Sequence, residues 1–381
     1  MNRRHLLANG VALAATSVVL GNADATASVQ RPPATRLPSS NDIAEVLHRV
    51  ADHWIGTHGD SGDNKWANAT FFSGLLALQR MTKNLRYLRY AHEWAEKHNY
   101  GLNAGPTTRH ADNQCAGQVY LDLYEIGRRD RRKIEAIEAC LHRMVYDDRP
   151  AKNDDWWWVD ALHMAMPPFA RLGRLREDQR YEEKLYRLYQ HTKRSEGGPG
   201  LYHRDTGLWY RDKRFLPGHI TSPSGKPVFW SRGNGWAAAG HVKTLKALPS
   251  GGRYVPEYRE TLTRLVTAAA HRQRQDGFWN VNLGDAEHLP GPETSGTAFF
   301  VYATAYAIRT GLVDRATFLP VVARAWYGLV TKAVQRDGFL GYVQGVGDRP
   351  EHSQPVTKDT TADFGVGAFL LAGTEVSRLA R

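Results

Sequence analysis

The chain has 381 residues, of which 42% are hydrophobic and 23% charged, a balance typical of a folded globular protein with a large core. Fifty Lys and Arg residues against 39 Asp and Glu residues give a formal net charge of +11, which favours an acidic partner. Because the basic residues are scattered over helical faces, nucleic acid is the weaker candidate and a small anionic ligand the stronger one.

The first 27 residues have the pattern of a signal peptide. Arg3 and Arg4 precede an apolar run at 6–20, and a small-residue cleavage pattern follows at 25–27. The paired arginines indicate export by the twin-arginine route. The apolar run is short for a membrane-spanning helix, and no Cys follows it to carry a lipid. We therefore expect a periplasmic or secreted protein without a membrane anchor, with an extended Pro- and Ser-rich lead-in at 28–40.

Residues 41–381 are predicted to form one domain built from helix pairs. A charged helix comes first, five pairs follow, and a helix of small residues ends the chain, for twelve helices in all. In each pair the first helix is rich in Gly, Ala and apolar residues, whereas the second is amphipathic with one solvent-facing side. The first members are predicted within residues 68–84, 113–130, 158–175, 234–252 and 295–314.

Alternating inner and outer helices predict an all-α fold, an (α/α)6 barrel in which the last helix pairs with the first. An open solenoid is the alternative, but its final repeat would need a polar outer face. The last helix contains the apolar segment FGVGAFLLAG, so the closed barrel is the better prediction.

Polar and aromatic residues collect just before the inner helices, whose N-termini open on one face of such a barrel. They are Trp66 and Asn68; His110, Asp112 and Asn113; Trp156 to Asp160; Trp230, Arg232, Asn234 and Trp236; Glu293, Thr294 and Ser295; and Asp359, Thr360 and Asp363. Helix N-termini favour an anion, and the Arg232 guanidinium can hold a carboxylate through two hydrogen bonds. Aromatic faces suit a sugar ring, so we predict a cavity for an acidic sugar at this mouth.

Several of these residues also have a structural interpretation. Asp112, Thr294 and Asp359 could each cap a helix. Trp157 is expected to pack rather than to bind. Asp160 is favoured as a functional residue, because it lies beside tryptophans immediately before an apolar helix.

The roles of several residues within the predicted helices stay open. His163 and Met164 lie one turn into an inner helix, where they could reach the cavity floor or only pack. Cys115 and Cys140 are the only cysteines, and a disulfide between them is possible but not needed in a chain of this size. No metal-ligand spacing such as CxxC or HExxH is present, so we expect no metal and no cofactor.

Three segments carry a family resemblance. The segment WWWVDALHM is similar to a W-V-D-G-L-Y-M signature, FWSRGNGWAAAGHVKTL to W-x-R-G-N-G-W, and ETSGTAFFVYATAYAIRTGL to E-x-S-x-T-A-x-x-x-Y-A. Together they resemble the unsaturated uronyl hydrolases of glycoside hydrolase families 88 and 105, from about residue 41 to the C-terminus. The resemblance implies the (α/α)6 barrel and a hydrolase that removes a 4,5-unsaturated uronic acid from the non-reducing end of lyase-generated oligosaccharides.

The resemblance also implies roles for individual residues. Asp160 matches the general acid/base, and Asp112 matches the second acid beside the sugar. Arg232 and Trp236 match residues that hold the uronate, with Trp230 nearby. The other expected substrate-binding residues are Asn234, Trp66, Asn68, His163, Arg211, Thr294 and Ser295.

Two positions depart from the family pattern. His163 stands where Tyr is usual, and Arg211 stands where members of the rhamnogalacturonyl group tend to have His. Our hypothesis is that Asp160 protonates the double bond and then activates water, which requires a raised pKa. A tryptophan wall and the neighbouring Asp112 would raise that pKa, whereas Arg232 is expected to face the substrate carboxylate.

Other functions remain open to this sequence. The same barrel hosts several chemistries, so an exo-acting glycosidase on saturated uronates such as glucuronides is the main alternative. A binding protein for acidic oligosaccharides that has lost catalysis is another. A sugar epimerase ranks last, because such enzymes rely on paired histidines and no convincing pair is present.

Overall fold

The computed structural model describes residues 36–127 and 129–381, so the expected signal peptide and most of the expected lead-in lie outside the described residues. The helices are α1 (Ser40–Thr57), α2 (Trp66–Thr82), α3 (Leu85–Lys97), α4 (Ala111–Gln114), α5 (Ala116–Ile126), α6 (Glu135–His142), α7 (Ala161–Arg176), α8 (Gln179–Arg194), α9 (Ser231–Ala247), α10 (Val255–Ala270), α11 (Thr294–Arg309), α12 (Arg315–Gly328) and α13 (Asp363–Leu379). The strands β1 (Tyr202–His203) and β2 (Leu208–Trp209) pair in an antiparallel ribbon.

Six helices form a closed inner ring. They follow the order α2, α5, α7, α9, α11 and α13, each contacts the next, and α13 contacts α2. Outside the ring, α1 packs against α13, α3 against α2, α6 and α8 against α7, α10 against α9, and α12 against α11. The predicted all-α (α/α)6 barrel is therefore confirmed, including the pairing of the last helix with the first.

Glycines explain how closely the inner helices approach one another. A Cβ atom on Gly74 of α2 would lie 2.4 Å from the carbonyl oxygen of Gly367 on α13. A Cβ atom on Gly240 of α9 would lie 2.6 Å from the carbonyl oxygen of Leu162 on α7. Both distances are shorter than a real contact, so a side chain at either position would push two ring helices apart.

The outer helices have one buried side. Helix α8 buries Tyr181, Leu185 and Leu188 on its inner side, as its 3.6-residue periodicity predicts, although Lys184 and Lys193 are buried as well. Asp178 accepts a hydrogen bond from the backbone N–H of Arg180 and caps this helix.

An aromatic layer divides the barrel interior between its two mouths. The Trp236 ring lies between His163, at 4.7 Å, and Phe299, at 4.4 Å between ring centroids, and Phe364 lies at 5.9 Å. The inner helices begin on one side of this layer and end on the other, so the two mouths carry different side chains of the same helices. None of the helices within 36–127 and 129–381 combines the length and apolarity needed to cross a membrane.

The two cysteines are free and buried. The Cys140 thiol lies 3.1 Å from the carbonyl oxygen of Thr108, and the Cys115 thiol lies 3.8 Å from that of Trp66. Burial raises the pKa of each thiol to about 12, so neither is a reactive thiolate at neutral pH.

Candidate active site

Asp160 lies where a loop enters α7. Its carbonyl oxygen accepts hydrogen bonds from the backbone N–H groups of His163 and Met164, which start the helix. Its side chain is 15% exposed, and its Oδ1 atom is buried with no hydrogen-bond partner among the described residues. Burial raises the pKa of Asp160, whereas the charges of Arg211 and Arg232 act in the opposite direction. The result is a largely dry carboxyl group whose proton is easier to keep than that of an exposed aspartate.

Asp112 is a second carboxyl group at the same mouth, on the short helix α4. Burial, and then the charge of Asp160, raise the pKa of Asp112 to about 7, while Arg211 lowers it. His110 Nδ1 lies 3.9 Å from Asp112 Oδ2, and burial lowers the pKa of His110. The two aspartates thus form a coupled pair that resists a double negative charge near neutral pH.

Arg211 forms a salt bridge with Asp160. Its Nε atom lies 3.4 Å from Asp160 Oδ2, and its Nη1 atom donates to Asp212 Oδ2 at 2.7 Å. The carbonyl oxygen of Arg211 accepts a hydrogen bond from the Val159 N–H at 2.8 Å, which ties the segment after β2 to the segment before α7. Arg214 holds Asp212 through two further hydrogen bonds, so the guanidinium of Arg211 is fixed beside the acid.

Arg232 lies at the start of α9 and is 3% exposed. Its Nη1 and Nη2 atoms donate to the carbonyl oxygens of Gln344 at 2.6 Å and Gly345 at 3.0 Å. The guanidinium lies 4.5 Å from the ring centroid of Trp230 and 4.9 Å from that of Phe364. Burial lowers the pKa of Arg232 to about 10, which leaves it cationic at neutral pH. Two of its five N–H donors are committed to this loop, and the other three have no hydrogen-bond partner among the described residues.

Gly233 shows how closely α9 approaches Asp160. A Cβ atom at this position would lie 3.5 Å from Asp160 Oδ1 and 3.1 Å from a Val159 methyl group. The acid and the N-terminus of α9, which carries Arg232, therefore lie beside the same mouth, as the sequence predicts. Because Gly233 has no side chain, the α9 backbone can lie close to the unpaired Oδ1 atom.

Asn234 is not free to bind a substrate, contrary to our prediction, whereas Asn68 engages only its N–H groups and its substrate-binding role stays a prediction. The Asn68 amide donates to two carbonyl groups of the loop before α2, at 3.0 and 3.2 Å. Asn234 accepts from the Trp209 N–H at 2.8 Å and donates to the carbonyl groups of Trp209 and Trp230, each at 3.0 Å. Both amides hold the backbone around the mouth, and the Asn234 amide is engaged at both its oxygen and its nitrogen.

Thr294 and Ser295 are also structural rather than substrate-binding, and both are fully buried. Thr294 donates to the carbonyl of Gly341 at 2.8 Å, and Ser295 donates to Glu293 Oε1 at 2.7 Å. The cap of α11 is Glu293, which accepts from the backbone N–H groups that open this helix. The capping role suggested for Thr294 is therefore wrong, and sequence reasoning missed the buried carboxylate that performs it.

The other two suggested caps are wrong as well. His110 occupies the N-cap position of α4, so Asp112 lies inside the first turn. Asp359 is exposed and pairs with Lys358 at 2.8 Å, while Ala362 occupies the N-cap position of α13. Neither carboxylate is used to start a helix.

The three consecutive tryptophans have three different environments. Trp156 is fully buried and packs against Phe169, so it belongs to the core and not to the cavity wall. Trp157 is 45% exposed, its ring lies 4.6 Å from that of Trp158, and the Arg211 guanidinium lies 5.8 Å from its ring centroid. Trp158 is buried at the mouth, 4.7 Å from the His110 ring.

Trp236, His163 and Trp230 lie deeper than the sequence suggests. His163 is fully buried, and neither ring nitrogen has a hydrogen-bond partner among the described residues. Burial lowers the pKa of His163 well below its usual value, so it packs as a neutral ring and has no surface for a substrate. Trp236 and Trp230 are each 2% exposed, whereas Trp66 is partly exposed and packs edge-on against Trp236. These tryptophans form part of the floor of the cavity at this mouth, and Trp230 also packs against the Arg232 guanidinium.

A buried ion pair that the sequence did not reveal fixes the segment leading to Asp160. Arg109 donates to both carboxylate oxygens of Asp155, at 2.9 and 2.6 Å, and Asp155 is 4% exposed. Asp154 is 56% exposed and pairs with Lys152. The acids beside the tryptophans thus have separate roles, because only Asp160 faces the mouth. Within the described ranges, no group of three or more His, Cys, Asp or Glu residues is placed to hold a metal ion.

Comparison with known proteins finds a family model and relatives that match most of the chain. A family model described as Glycosyl Hydrolase Family 88 matches residues 40–380. An unsaturated 3S-rhamnoglycuronyl hydrolase from Formosa agariphila is 28% identical over 332 residues, which cover 82% of this chain and 84% of that protein.

Two solved structures share the fold over most of the chain. A glycosyl hydrolase family 88 protein from Bacteroides vulgatus is 33% identical with a TM-score of 0.83, over 90% of this chain and 100% of that one. A structure described as a polysaccharide lyase is 35% identical with a TM-score of 0.82, over 89% of this chain and 97% of that one. The match to the family model spans nearly the whole barrel, and the chain is therefore a member of glycosyl hydrolase family 88.

Proposed function

We propose that this glycoside hydrolase removes a 4,5-unsaturated uronic acid from the non-reducing end of acidic oligosaccharides that polysaccharide lyases have produced. The observation that carries the proposal is the coupled pair of half-buried aspartates, Asp160 and Asp112, at a mouth that also holds two arginines. The name of the Formosa agariphila relative, an unsaturated 3S-rhamnoglycuronyl hydrolase, supports the same reaction class.

In the proposed mechanism Asp160 donates its proton to C4 of the C4=C5 double bond. The positive charge that develops at C5 is shared with the ring oxygen. The Asp160 carboxylate then takes a proton from a water molecule, whose oxygen bonds to C5. The hemiketal at C5 opens, the ring oxygen becomes a hydroxyl group on C1, and C1 releases the aglycone alcohol. One carboxyl group serves as acid and then as base, unlike the two separated carboxylates of ordinary glycosidases.

Asp112 and the buried surroundings are proposed to keep this acid protonated. Two carboxylates in one low-dielectric site share a proton rather than ionise together. Because the pKa of Asp112 is raised to about 7, the pair retains a proton up to near-neutral pH. The unpaired Oδ1 atom of Asp160, which lies beside Gly233, is the atom that we assign to proton delivery.

Arg232 is proposed to hold the uronate carboxylate. Its guanidinium is positioned by the two loop carbonyl groups and by the Trp230 ring, and its remaining N–H groups suit a planar carboxylate. Arg211 contacts the acid directly, and we assign it to controlling the charge of Asp160 rather than to the substrate carboxylate.

The test follows the ultraviolet absorbance of the double bond in a panel of lyase products from rhamnogalacturonan, ulvan and glycosaminoglycans. The wild-type enzyme should remove the absorbance of at least one product, and Asp160→Asn should lower kcat at least a thousandfold while still binding it. Asp154→Asn is the matched control, because Asp154 is an exposed carboxylate six residues earlier, and it should retain full activity.

Three outcomes would contradict the proposal. Unchanged turnover in Asp160→Asn would remove this residue from the acid role. Persistent absorbance together with release of sugar from a saturated glucuronide would favour the exo-glycosidase. A rise in absorbance on an intact polysaccharide would indicate lyase chemistry instead.

We also propose that the protein is exported. The support is the N-terminal pattern alone, with Arg3, Arg4 and the small residues 25–27. Mass spectrometry of the protein from the periplasm or medium should give a mature N-terminus at Ser28, and a full-length chain confined to the cytoplasm would contradict export.

A further inference from the structure

A second cavity, of about 200 Å³, lies at the opposite mouth of the barrel, where the inner helices end. All six ring helices contribute residues to its wall, and four of them, α2, α7, α9 and α13, contribute cationic side chains from their C-terminal halves. The cationic side chains are Arg80, Arg171, Arg174, Lys243, Lys246 and Arg378. The aromatic layer around Trp236 separates this cavity from the catalytic mouth.

Positive charge exceeds negative charge around this cavity. Six cationic groups line it, whereas the carboxylates are Asp122 and Glu125 in the wall and Glu375 beside it. These carboxylates are already engaged: Asp122 binds Arg80 and Arg171, each at 2.8 Å, and Glu375 binds three basic side chains. The cavity therefore carries an excess of positive charge that its own carboxylates do not neutralise.

Lys243 is the cation without a carboxylate partner. Its Nζ atom donates to Ser73 Oγ at 2.5 Å and to Gln118 Oε1 at 2.8 Å. Among the described residues, no carboxylate oxygen lies within 4.0 Å of this atom, so the third N–H donor of the ammonium is free for a ligand. Burial lowers the pKa of Lys243 to about 8, which reflects the cost of keeping this charge away from water.

Helix dipoles explain some of these cations but not Lys243. Arg80, Arg174, Lys246 and Arg378 lie in the last turns of their helices, where a cation is favourable near the unpaired carbonyl groups. Lys243 lies a turn earlier in α9 and binds side chains of two other helices instead. A ligand that supplies negative charge would complete its environment.

We propose that this cavity binds a tetrahedral dianion of the inorganic sulfate or phosphate class, with Lys243 at its floor and arginines at its rim. The volume suits such an ion with a few waters, since one water occupies about 30 Å³ in the liquid. The side chains of Arg378 and Arg174 are 43% and 55% exposed, so the cavity is open to solvent at its rim. The site is distinct from the catalytic mouth, because its cations lie beyond the aromatic layer.

The test is thermal unfolding in titrations of sodium sulfate and sodium phosphate, with sodium chloride at matched ionic strength as the reference. A ligand of the folded state raises the melting temperature saturably. Lys243→Gln removes the charge and keeps a side-chain amide, and it should weaken the sulfate response at least tenfold. Arg89→Gln is the matched control, because Arg89 is 72% exposed on the outer helix α3, and it should respond like the wild type.

A second variant and a second ligand keep the proposal falsifiable. Arg174→Gln at the rim should weaken the sulfate response about threefold, and the hydrolase activity of both variants should match the wild type, which shows that they fold. An equal response in Lys243→Gln and the wild type, or a response to chloride of the same size, would overturn the site. Methyl sulfate should bind at least tenfold more weakly than inorganic sulfate, and the reverse order would assign the cavity to a sulfate ester and overturn the free dianion.

Discussion

We expect Asp112→Asn to stabilise the protein at alkaline pH, although it removes a residue of the proposed site. The pKa of Asp112 is about 7 in the folded protein and 3.8 in water, a difference equivalent to about 4 kcal/mol in the cost of ionising it. The side chain is 27% exposed, and solvent screening reduces this cost to about 2 kcal/mol. An asparagine never ionises, so the variant avoids the cost.

The effect depends on pH with a definite sign. Below pH 3.8 both states of the wild-type protein bind the proton, and the variant gains nothing. Between pH 3.8 and 7 the folded state binds more protons than the unfolded state, so the free energy of unfolding of the wild-type protein falls as pH rises. Above pH 7 the full difference of about 2 kcal/mol in favour of the variant is present.

Urea denaturation at pH 4 and pH 8 measures this difference. Asp359→Asn is the control, because Asp359 is 69% exposed, and it should change the free energy of unfolding by less than about 0.5 kcal/mol at both pH values. If Asp112→Asn is no more stable than the wild type at pH 8, or if its gain is the same at pH 4, the assigned burial of this carboxyl group is wrong.

Three further predictions concern the supports of the site. Arg109→Met should lower the free energy of unfolding by about 3 kcal/mol in urea, because it leaves the Asp155 carboxylate buried without its partner, and a loss below 1 kcal/mol would contradict this. Arg211→Gln should move the alkaline limb of the pH–activity profile to higher pH, since the lost guanidinium favoured ionised Asp160, and a limb that stays or moves lower would refute the assignment. Asn234→Leu should destabilise the protein by about 2–3 kcal/mol in calorimetry, because the N–H and carbonyl groups of Trp209 lose the side-chain amide and the Trp230 carbonyl keeps only the backbone N–H of residue 234. A stability equal to wild type would contradict this.

The barrel could be predicted from the sequence because the same helix-pair pattern repeats along the chain. Each ring helix is rich in small and apolar residues and is buried over most of its length, whereas each outer helix has one solvent-facing side. This alternation is local information that a sequence contains. The position of Asp160 at the start of α7 was readable for the same reason, since an apolar helix begins directly after it.

The hydrogen-bond partners of the polar residues could not be predicted from the sequence. Asn68, Asn234, Thr294 and Ser295 have the residue types of a sugar-binding site. Backbone carbonyl groups nevertheless accept hydrogen bonds from the first three, and the Glu293 carboxylate accepts one from Ser295. A sequence shows that a side chain can donate or accept a hydrogen bond, but it does not show which group becomes its partner in the folded protein.

What the sequence determined by itself is the barrel, its family and the mouth at which the acids gather, because periodicity and motif order depend on neighbours along the chain. Only the tertiary structure decided which charges meet. Arg211 contacts Asp160 from the segment after β2, Arg232 is held by Gln344, and Lys243 meets Ser73 across the ring. Those partners lie from about fifty to 170 positions apart in the chain, and burial and pKa follow from such long-range contacts rather than from local pattern.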